Sequence, residues 1–517
     1  KSEFFNNGMM ESVLNNLSQV KDLHVISRQS SEQYRDSKKS IRQIANELGV
    51  AFILQGSVQR IGDQVKISAQ LVDADKDRYV WSGSFPGELS DVFSLQEDIA
   101  LKITDALQVN LTQQEKTRIG RVASRIPKAL DAYYEAQFHY GKYAYTLPRD
   151  ETHYPIILAL CQRALQADPN LAEAYILLGN TYWLRNVDYN KNSFLNEDMP
   201  DSLLLLARRA LRIDPQSPDA LVLLSKYYSV KGERELAVEE LNKAIGRNPN
   251  LLEAYLQLDF VYTFLGGNTE QTIRNLRKAL TLDPQSVQTP TVYNALAFAY
   301  LNILDYEKAD FYTSKAIQQD INRAEKGNGQ NLITLMDLHQ GKVSECLQSV
   351  EQLMKYNQAQ AYYLKAELYT NFLKDYKQAE KLYRQSWKAN PEQLHFKHRL
   401  AYVLFKLNRK KEAFALIDSS LYRMKKGAEL GRFTLEHYDV AAVYAFLERK
   451  EDAYRILRKP ADDNAVWGWG APNLIKVDPL FDNLRRDKEF RDIVADVHEE
   501  KRKLRERIRR LEAEGAL

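Results

Sequence analysis

His395 and His398 stand three residues apart in a helical stretch, a spacing at which two imidazoles can share a metal ion. No cysteine or third histidine stands beside them, so groove or surface histidines are the favoured reading. Asp73, Asp75 and Asp77 alternate as the opening ligands of a calcium loop would. Arg78 occupies the position where that loop needs glycine, and an ordinary acidic hairpin loop fits better. Cys161 and Cys346 each fall in an apolar-periodic run, where a buried free thiol is expected in place of a disulfide. The eight histidines are scattered, and no Walker loop, nucleophile elbow, HExxH or CxxC motif occurs. No catalytic residue, metal or cofactor is therefore assigned, and the chain reads as a non-enzyme.

Charge singles out one more stretch, KRKLRERIRR at 501–510. Nucleic acid or an anionic membrane surface is one reading. The solvated face of a docked helix, with Glu499, Glu500, Glu506 and Glu512 as partners, is the other and is favoured, because the glutamates cut the net field. A net charge of +3 over 517 residues chooses no partner. With 44% hydrophobic and 27% charged residues the composition is that of a folded protein, and no apolar run reaches the roughly 20 residues that cross a bilayer. The chain starts at Lys1 without methionine and is read as part of something longer.

The elements that would position these residues repeat. In 217–250, Leu221, Leu224 and Tyr228 recur at helical spacing, Lys231-Gly232 breaks the run, and Ala237, Leu241 and Ala244 mark a second helix that Asn248-Pro249 ends. Asp168-Pro169, Asp214-Pro215, Asp283-Pro284 and Asn390-Pro391 close similar helices, and Pro215, Pro249 and Pro284 lie 34 and 35 residues apart. This pattern resembles the tetratricopeptide (TPR) repeat. The resemblance implies a mainly α fold, a right-handed solenoid of about nine helical hairpins over 129–460, with Tyr228, Tyr262 and Tyr300 packed on the small residues of the partnering helices. It also implies that first helices line a concave groove, which would carry Asn180, Trp183, Lys226, Phe260, Phe264, Asn294, Phe298, Asn302, Leu368, Phe372, His395, Tyr402 and Phe405. Amides can hold a peptide backbone and aromatic rings its side chains, although about half of these rings are expected between helices. Phe260, Phe264 and Phe298 are expected to be exposed there.

Ahead of the repeats, 1–110 reads as a small α/β module. It runs as a helix at Gly8–Val20, a short strand at His24–Arg28, a helix at Lys39–Leu48 stopped by Gly49, strands at Ala51–Arg60, Val65–Val72 and Tyr79–Phe85, and a helix at Leu89–Leu107. Gln55-Gly56-Ser57 suggests a bulge or close packing, with the bulge favoured. The segments FFNNGMMESVLNNLSQVKDLHVISRQS, IRQIANELGVAFILQGSVQRIGDQVKISAQLVDA and YVWSGSF resemble the TolB-amino-terminal-like (FlgO-like) module. That resemblance implies an extracytoplasmic part of a bacterial, membrane-linked signalling or assembly protein, anchored by a segment absent from this chain.

A linker helix is expected over 111–128, and 146–154, 187–200 and 325–330 read as loops. Residues 461–517 read as a capping segment and a basic amphipathic helix: Trp467 and Trp469 pack the end of the solenoid core, and Phe490, Val497, Leu504 and Leu511 recur every seven residues. The whole is read as a non-catalytic sensor or scaffold that binds a protein or peptide in the groove, with a homo-oligomer allowed and nucleic acid disfavoured. The alternative is a cytoplasmic adaptor or transcriptional regulator that contacts nucleic acid through its basic C-terminal helix.

Overall fold

Three helices open the chain, α1 (Ser2–Ser18), α2 (Arg28–Glu32) and α3 (Ile41–Leu48). The last starts at a Ser40 capping box and stops where Gly49 turns left-handed, φ 69°, as a side chain rarely can. Alternation then gives β1 (Phe52–Ile61), β2 (Gln64–Asp73) and β3 (Arg78–Glu88), an antiparallel sheet in the order β1-β2-β3. Val65, Ile67, Ala69 and Leu71 bury one face of β2 against Met9, Val13 and Leu17 of α1 and Ile99 and Ile103 of α4 (Val92–Ala106). α5 (Gln113–Ile119) leads out of the module. The structure, a computed structural model, describes residues 2–35, 37–62, 64–88, 92–119, 124, 126–144, 150–186, 199–286, 288–319, 326–391, 397–429, 437–468 and 470–517.

Two expectations for the module are corrected. β1 pairs with β2 without a bulge, Gly56 opposite Ala69, and the glycine serves close packing because a Cβ there would sit 2.9 Å from the Ser68 carbonyl oxygen. The register slips instead between Leu71 and Val72, against β3. His24–Arg28 is not a strand, since its polar groups meet the solenoid: His24 Nε2 lies 2.5 Å from the Leu282 carbonyl oxygen, and the Ser27 amide donates to Asp283.

Nine helical hairpins follow among the described residues. They pair α6 (Pro127–Ala144) with α7 (His153–Ala167), α8 (Ala172–Asn186) with α9 (Met199–Ile213), α10 (Pro218–Val230) with α11 (Arg234–Arg247), and α12 (Leu252–Phe264) with α13 (Thr269–Leu282). The next pairs are α14 (Thr289–Asn302) with α15 (Tyr306–Gln319), α16 (Lys326–His339) with α17 (Val343–Leu353), and α18 (Gln358–Leu368) with α19 (Tyr376–Ala389). The array closes with α20 (Lys397–Lys406) on α21 (Lys410–Glu429) and α22 (Tyr438–Phe446) on α23 (Lys450–Leu457). Ser217 caps α10 by accepting from the Ala220 amide, and Pro218 costs nothing in the first turn. The Asp/Asn-Pro pairs have a local cause as well. Asp168, Asp214 and Asn248 each end a helix and accept the amide two residues on, at 2.9 to 3.0 Å, while proline blocks the next helical hydrogen bond. Ala237 and Ala244 are fully buried, so the helices close onto each other with Tyr228 and Tyr262 half-buried beside them; Tyr300 is fully buried.

Helix α16 overrides the loop expected at 325–330, of which 326–330 are described. Gly329 lies inside the helix because a Cβ there would press on Ile317 at 2.9 Å, so the glycine permits close approach and does not break the helix. Of the loops expected at 146–154 and 187–200, residues 146–149 and 187–198 lie outside the described residues, as do His395 and Trp469, while 153–154 open α7 and 199–200 open α9.

After α23 the chain turns back along the array through α24 (Asn464–Trp467) and α25 (Ala471–Leu474), and ends in α26 (Lys488–Ala513). Trp467 is fully buried and its Nε1 donates to the Lys459 carbonyl at 3.1 Å. Trp467→Ala should therefore cost about 3–5 kcal/mol, as large-to-small core changes do, and chemical denaturation of the full chain would show it. No described helix is long and apolar enough to cross a membrane.

Candidate functional site

The turns that end the second helices also seat the N-terminal module and the segment after it. Asn250 Nδ2 donates to the carbonyls of Val20 and Leu23 at 3.2 and 2.8 Å, Ser30 Oγ donates to Asp283 at 2.8 Å, Ser124 Oγ to Asp168, and Arg118 to the Arg247 carbonyl. Held along that edge, α1 faces the first helices of the first repeats across a cavity of about 1380 Å³. Glu11, Ser12, Asn15 and Gln96 line the module side; Tyr133, Gln137, Tyr140, Glu173, Ile176, Asn180 and Asp219 line the solenoid side. The wall mixes rings, amides and carboxylates with the cations Arg28, Arg118, Lys142 and Arg247, a set that can meet both the backbone and the charged side chains of an extended polypeptide.

Asp219 is exposed on the chamber wall, yet the protein crowding it from both sides, with Glu173 and Glu253 adding like charge, raises its pKa from the usual carboxylate range to about 6. Glu173, Asp219 and Glu253 occupy the first turns of α8, α10 and α12, so the repeat itself stacks their charges. Lys226 Nζ crosses between repeats, 2.9 Å from Asn180 Oδ1 and 2.8 Å from Glu253 Oε1.

Five sequence-predicted groove residues come together here. Lys226 lies 5.8 Å from the Trp183 ring centre, Trp183 meets Phe260 edge-on at 5.2 Å, and Phe260 meets Phe264 at 4.9 Å, with Asn180 at the lysine. Phe264 is 43% exposed, but Phe298 is only 7% exposed, which corrects its expected exposure. Asn294 and Asn302 are buried with it in α14. Leu368 is buried, and Phe372 packs toward Gly341. Tyr402 and Phe405 meet Phe446 of α22 at 6.0 and 5.3 Å, an inter-helix contact.

The far half of the groove holds the chain itself. Arg399, on α20, donates to Asp478 Oδ2 at 2.6 Å and to Asp439 at 3.2 Å, and the Tyr438 hydroxyl donates to Asp478 at 2.9 Å. Asp478 and the neighbouring Phe481 are fully buried. The sequence reading missed Arg399; a lone arginine in the apolar-periodic run HRLAYVLF was its signal. His398, beside it, is buried with Nε2 3.2 Å from Asp439.

Among the described residues no group of three His, Cys, Asp or Glu side chains is placed to hold a metal. Asp73 accepts from the Lys76 amide and ammonium, both at 3.0 Å, the bonding of a closed hairpin turn. Burial pushes both cysteine thiols up to about 12, so neither is a thiolate at neutral pH. The basic run is spent largely inside the molecule: Arg505 donates to the Leu304 carbonyl, Arg507 pairs with Glu270, and Arg509 with Asp305.

The chain carries tetratricopeptide repeats: the family model of that name matches residues 218–251 and 359–393. Residues 2–102 match another model, the second domain of HilA/YgeH-like transcriptional regulators, which replaces the TolB-like reading of the module. A Rhizobium meliloti (strain 1021) protein named "Putative adenylate cyclase 3" is 30% identical over 178 residues, 34% of this chain and 29% of its own length. The chain thus spans well under half of that relative. Among solved structures, the Cut9-Hcn1 hetero-tetramer of the APC/C is similar over 66% of this chain and 62% of its own, at 14% identity and TM-score 0.42. The thermophilic TPR protein TTC0263 of Thermus thermophilus covers 37% of this chain and 91% of its own, at 23% identity and TM-score 0.30. Pseudomonas aeruginosa pilF covers 46% and 98%, at 20% identity and TM-score 0.34.

Proposed function

We propose that this chain is a non-catalytic sensor or scaffold segment of a signalling protein, binding an extended protein segment in the chamber between α1 and the first helices of the first repeats. The observation that carries this reading is the cavity of about 1380 Å³, which two different units wall with rings, amides and charged groups of both signs. TPR surfaces commonly bind polypeptide, and a chamber shared by two units lets occupancy alter how they sit together. The match of 2–102 to a regulator's second domain and the cyclase-named relative both support a segment that feeds an output domain. The extracytoplasmic placement rested on the TolB-like resemblance, and the match of 2–102 to a transcriptional regulator's domain takes that support away. Nucleic-acid contact through α26 is the less favoured reading, because most of its arginines already have partners.

Peptide-display selection on the full chain tests the proposal. Selected peptides should carry a cation for Asp219, and Asn180→Ala with Asp219→Ala should weaken them about tenfold or more, with only a small fall in melting temperature because Lys226 keeps its bond to Glu253. Affinity should also rise as pH increases through about 6, where Asp219 ionises. Peptides that bind the double variant as tightly as the parent would overturn the site.

A further inference from the structure

The heptad stripe of α26 runs through Phe490, Val494, Val497, Lys501, Leu504 and Ile508, and the helix divides at its lysine. Before Lys501, Phe490, Val494 and Val497 are buried in the same apolar core as the last repeats. Beyond it, Ile508 is the fully buried apolar side chain, with Leu504 and Leu517 packed partly against the core around α14. Charge does the remaining holding. Arg509 pairs with Asp305 at 2.8 Å, Arg507 with Glu270 at 2.9 Å, and Glu512 takes Arg277 at 2.7 Å together with Lys308 and the Tyr300 hydroxyl. Arg507 and Arg509 are 61% and 47% exposed, so salt reaches those pairs.

Lys501 itself is fully buried, and its ammonium makes no hydrogen bond. It is faced by Asp462 and Asp463, from the turn before α24, and by Glu500 of its own helix. Asp462 is committed elsewhere, accepting from Thr269 Oγ1 at 2.6 Å. A buried ammonium without a hydrogen bond is costly, and here that cost sits at the joint between an apolar half-helix and a charged one.

We propose that residues 499–517 are a releasable latch, seated on a surface of α13, α14 and α15 that accepts a basic amphipathic helix. The seat offers an apolar socket for Ile508 ringed by Glu270, Asp305 and Glu307, and its occupant in this molecule is the chain's own C-terminal helix. This surface is separate from the chamber proposed above and does not depend on it.

Lys501 sets the latch's pH response. Burial pushes its pKa down from 10.5 to about 8. Below that value the lysine is charged whether docked or released, and the docking cost is constant. Between about 8 and 10.5 the released helix binds the proton and the docked one does not, so docking tightens as pH rises. Lys501→Met should tighten the latch at neutral pH and remove that response.

The test uses the full chain and a labelled synthetic peptide of residues 499–517. In the parent, amide exchange in 499–517 should be at least tenfold faster in about 1 M salt than in about 0.05 M, with 488–497 unchanged. Ile508→Asp with Arg509→Glu, both on the latch and neither on its seat, should release the helix. The vacated seat should then bind the added peptide at least tenfold more tightly than the parent does. Arg509→Ala alone provides a milder variant if the double one melts early. Equal protection of both halves of α26 at every salt concentration would overturn the latch, as would a released variant that does not take up the peptide, or faster exchange in Lys501→Met.

Discussion

Asp478→Ala is expected to destabilise the C-terminal repeats by about 3 kcal/mol, the cost of taking from a buried arginine its shorter ion pair and leaving it the longer one to Asp439. Arg399 is 3% exposed and Asp478 fully buried, so water cannot replace the lost carboxylate. Asp478 also accepts from the Leu480 amide at 3.0 Å and from Tyr438, which makes it the anchor of the returning segment. Glu367 gives poor compensation: its nearest oxygen is 3.9 Å from Arg399 Nε, it is already bonded by the Tyr383 hydroxyl and Asn371, and burial raises its pKa. Arg399→Met with Asp478→Leu should cost less than Arg399→Met alone, because the fully buried Asp478 is then not stranded and only Asp439 and Glu367 lose the arginine. Urea unfolding with amide exchange over 359–484 would measure both. A single-variant cost below about 1 kcal/mol would show that the pair is solvated and that the segment is held by its apolar side chains alone.

The repeats were legible because their signals are local. An Asx turn followed by proline, and alanines where helices touch, are dictated within one hairpin, and neighbouring hairpins repeat them. The returning segment was less legible, because it depends on contacts between distant parts of the chain. Gly267 shows the difference. In the fold a Cβ there would collide with the Asp462 carbonyl oxygen, nearly two hundred residues away, a constraint no local pattern carries. Asp283 likewise ends α13 by a local rule, yet its carboxylate binds Ser27 and Ser30 of the module. The failed strand at His24–Arg28 has the same origin, since its partners are solenoid turns and not a sheet edge.

Lys501 was readable in principle. The stripe Phe490, Val497, Leu504 and Leu511 places it at an inward heptad position, and a lysine there conflicts with the burial of its neighbours. Read only as part of a basic run, the residue lost that meaning. Local patterns that disagree with the global one are where strain or switching is found.

Phe264 and Phe298 are paired by the repeat rule yet separated by the fold, and their alanine variants should separate accordingly. Phe298→Ala is expected to cost about 3–5 kcal/mol, since its ring lies in the core formed with Leu296, Leu332 and Met336 and a cavity would remain. Phe264→Ala removes a ring that is 43% exposed at the end of the Trp183–Phe260–Phe264 string, and its stability cost should be under about 1 kcal/mol. The same rule sets their order in binding. If the aromatic string extends the chamber along α12, selected peptides should lose about fivefold or more in affinity on Phe264→Ala, while Phe298→Ala acts only through unfolding. Denaturant melts of the two single variants, followed by titration of a selected peptide at a temperature where both are folded, would resolve the two effects. Equal melting of the two variants would place Phe264 in the core as well, and an unchanged affinity on Phe264→Ala would confine the binding surface to α1, α6, α8 and α10.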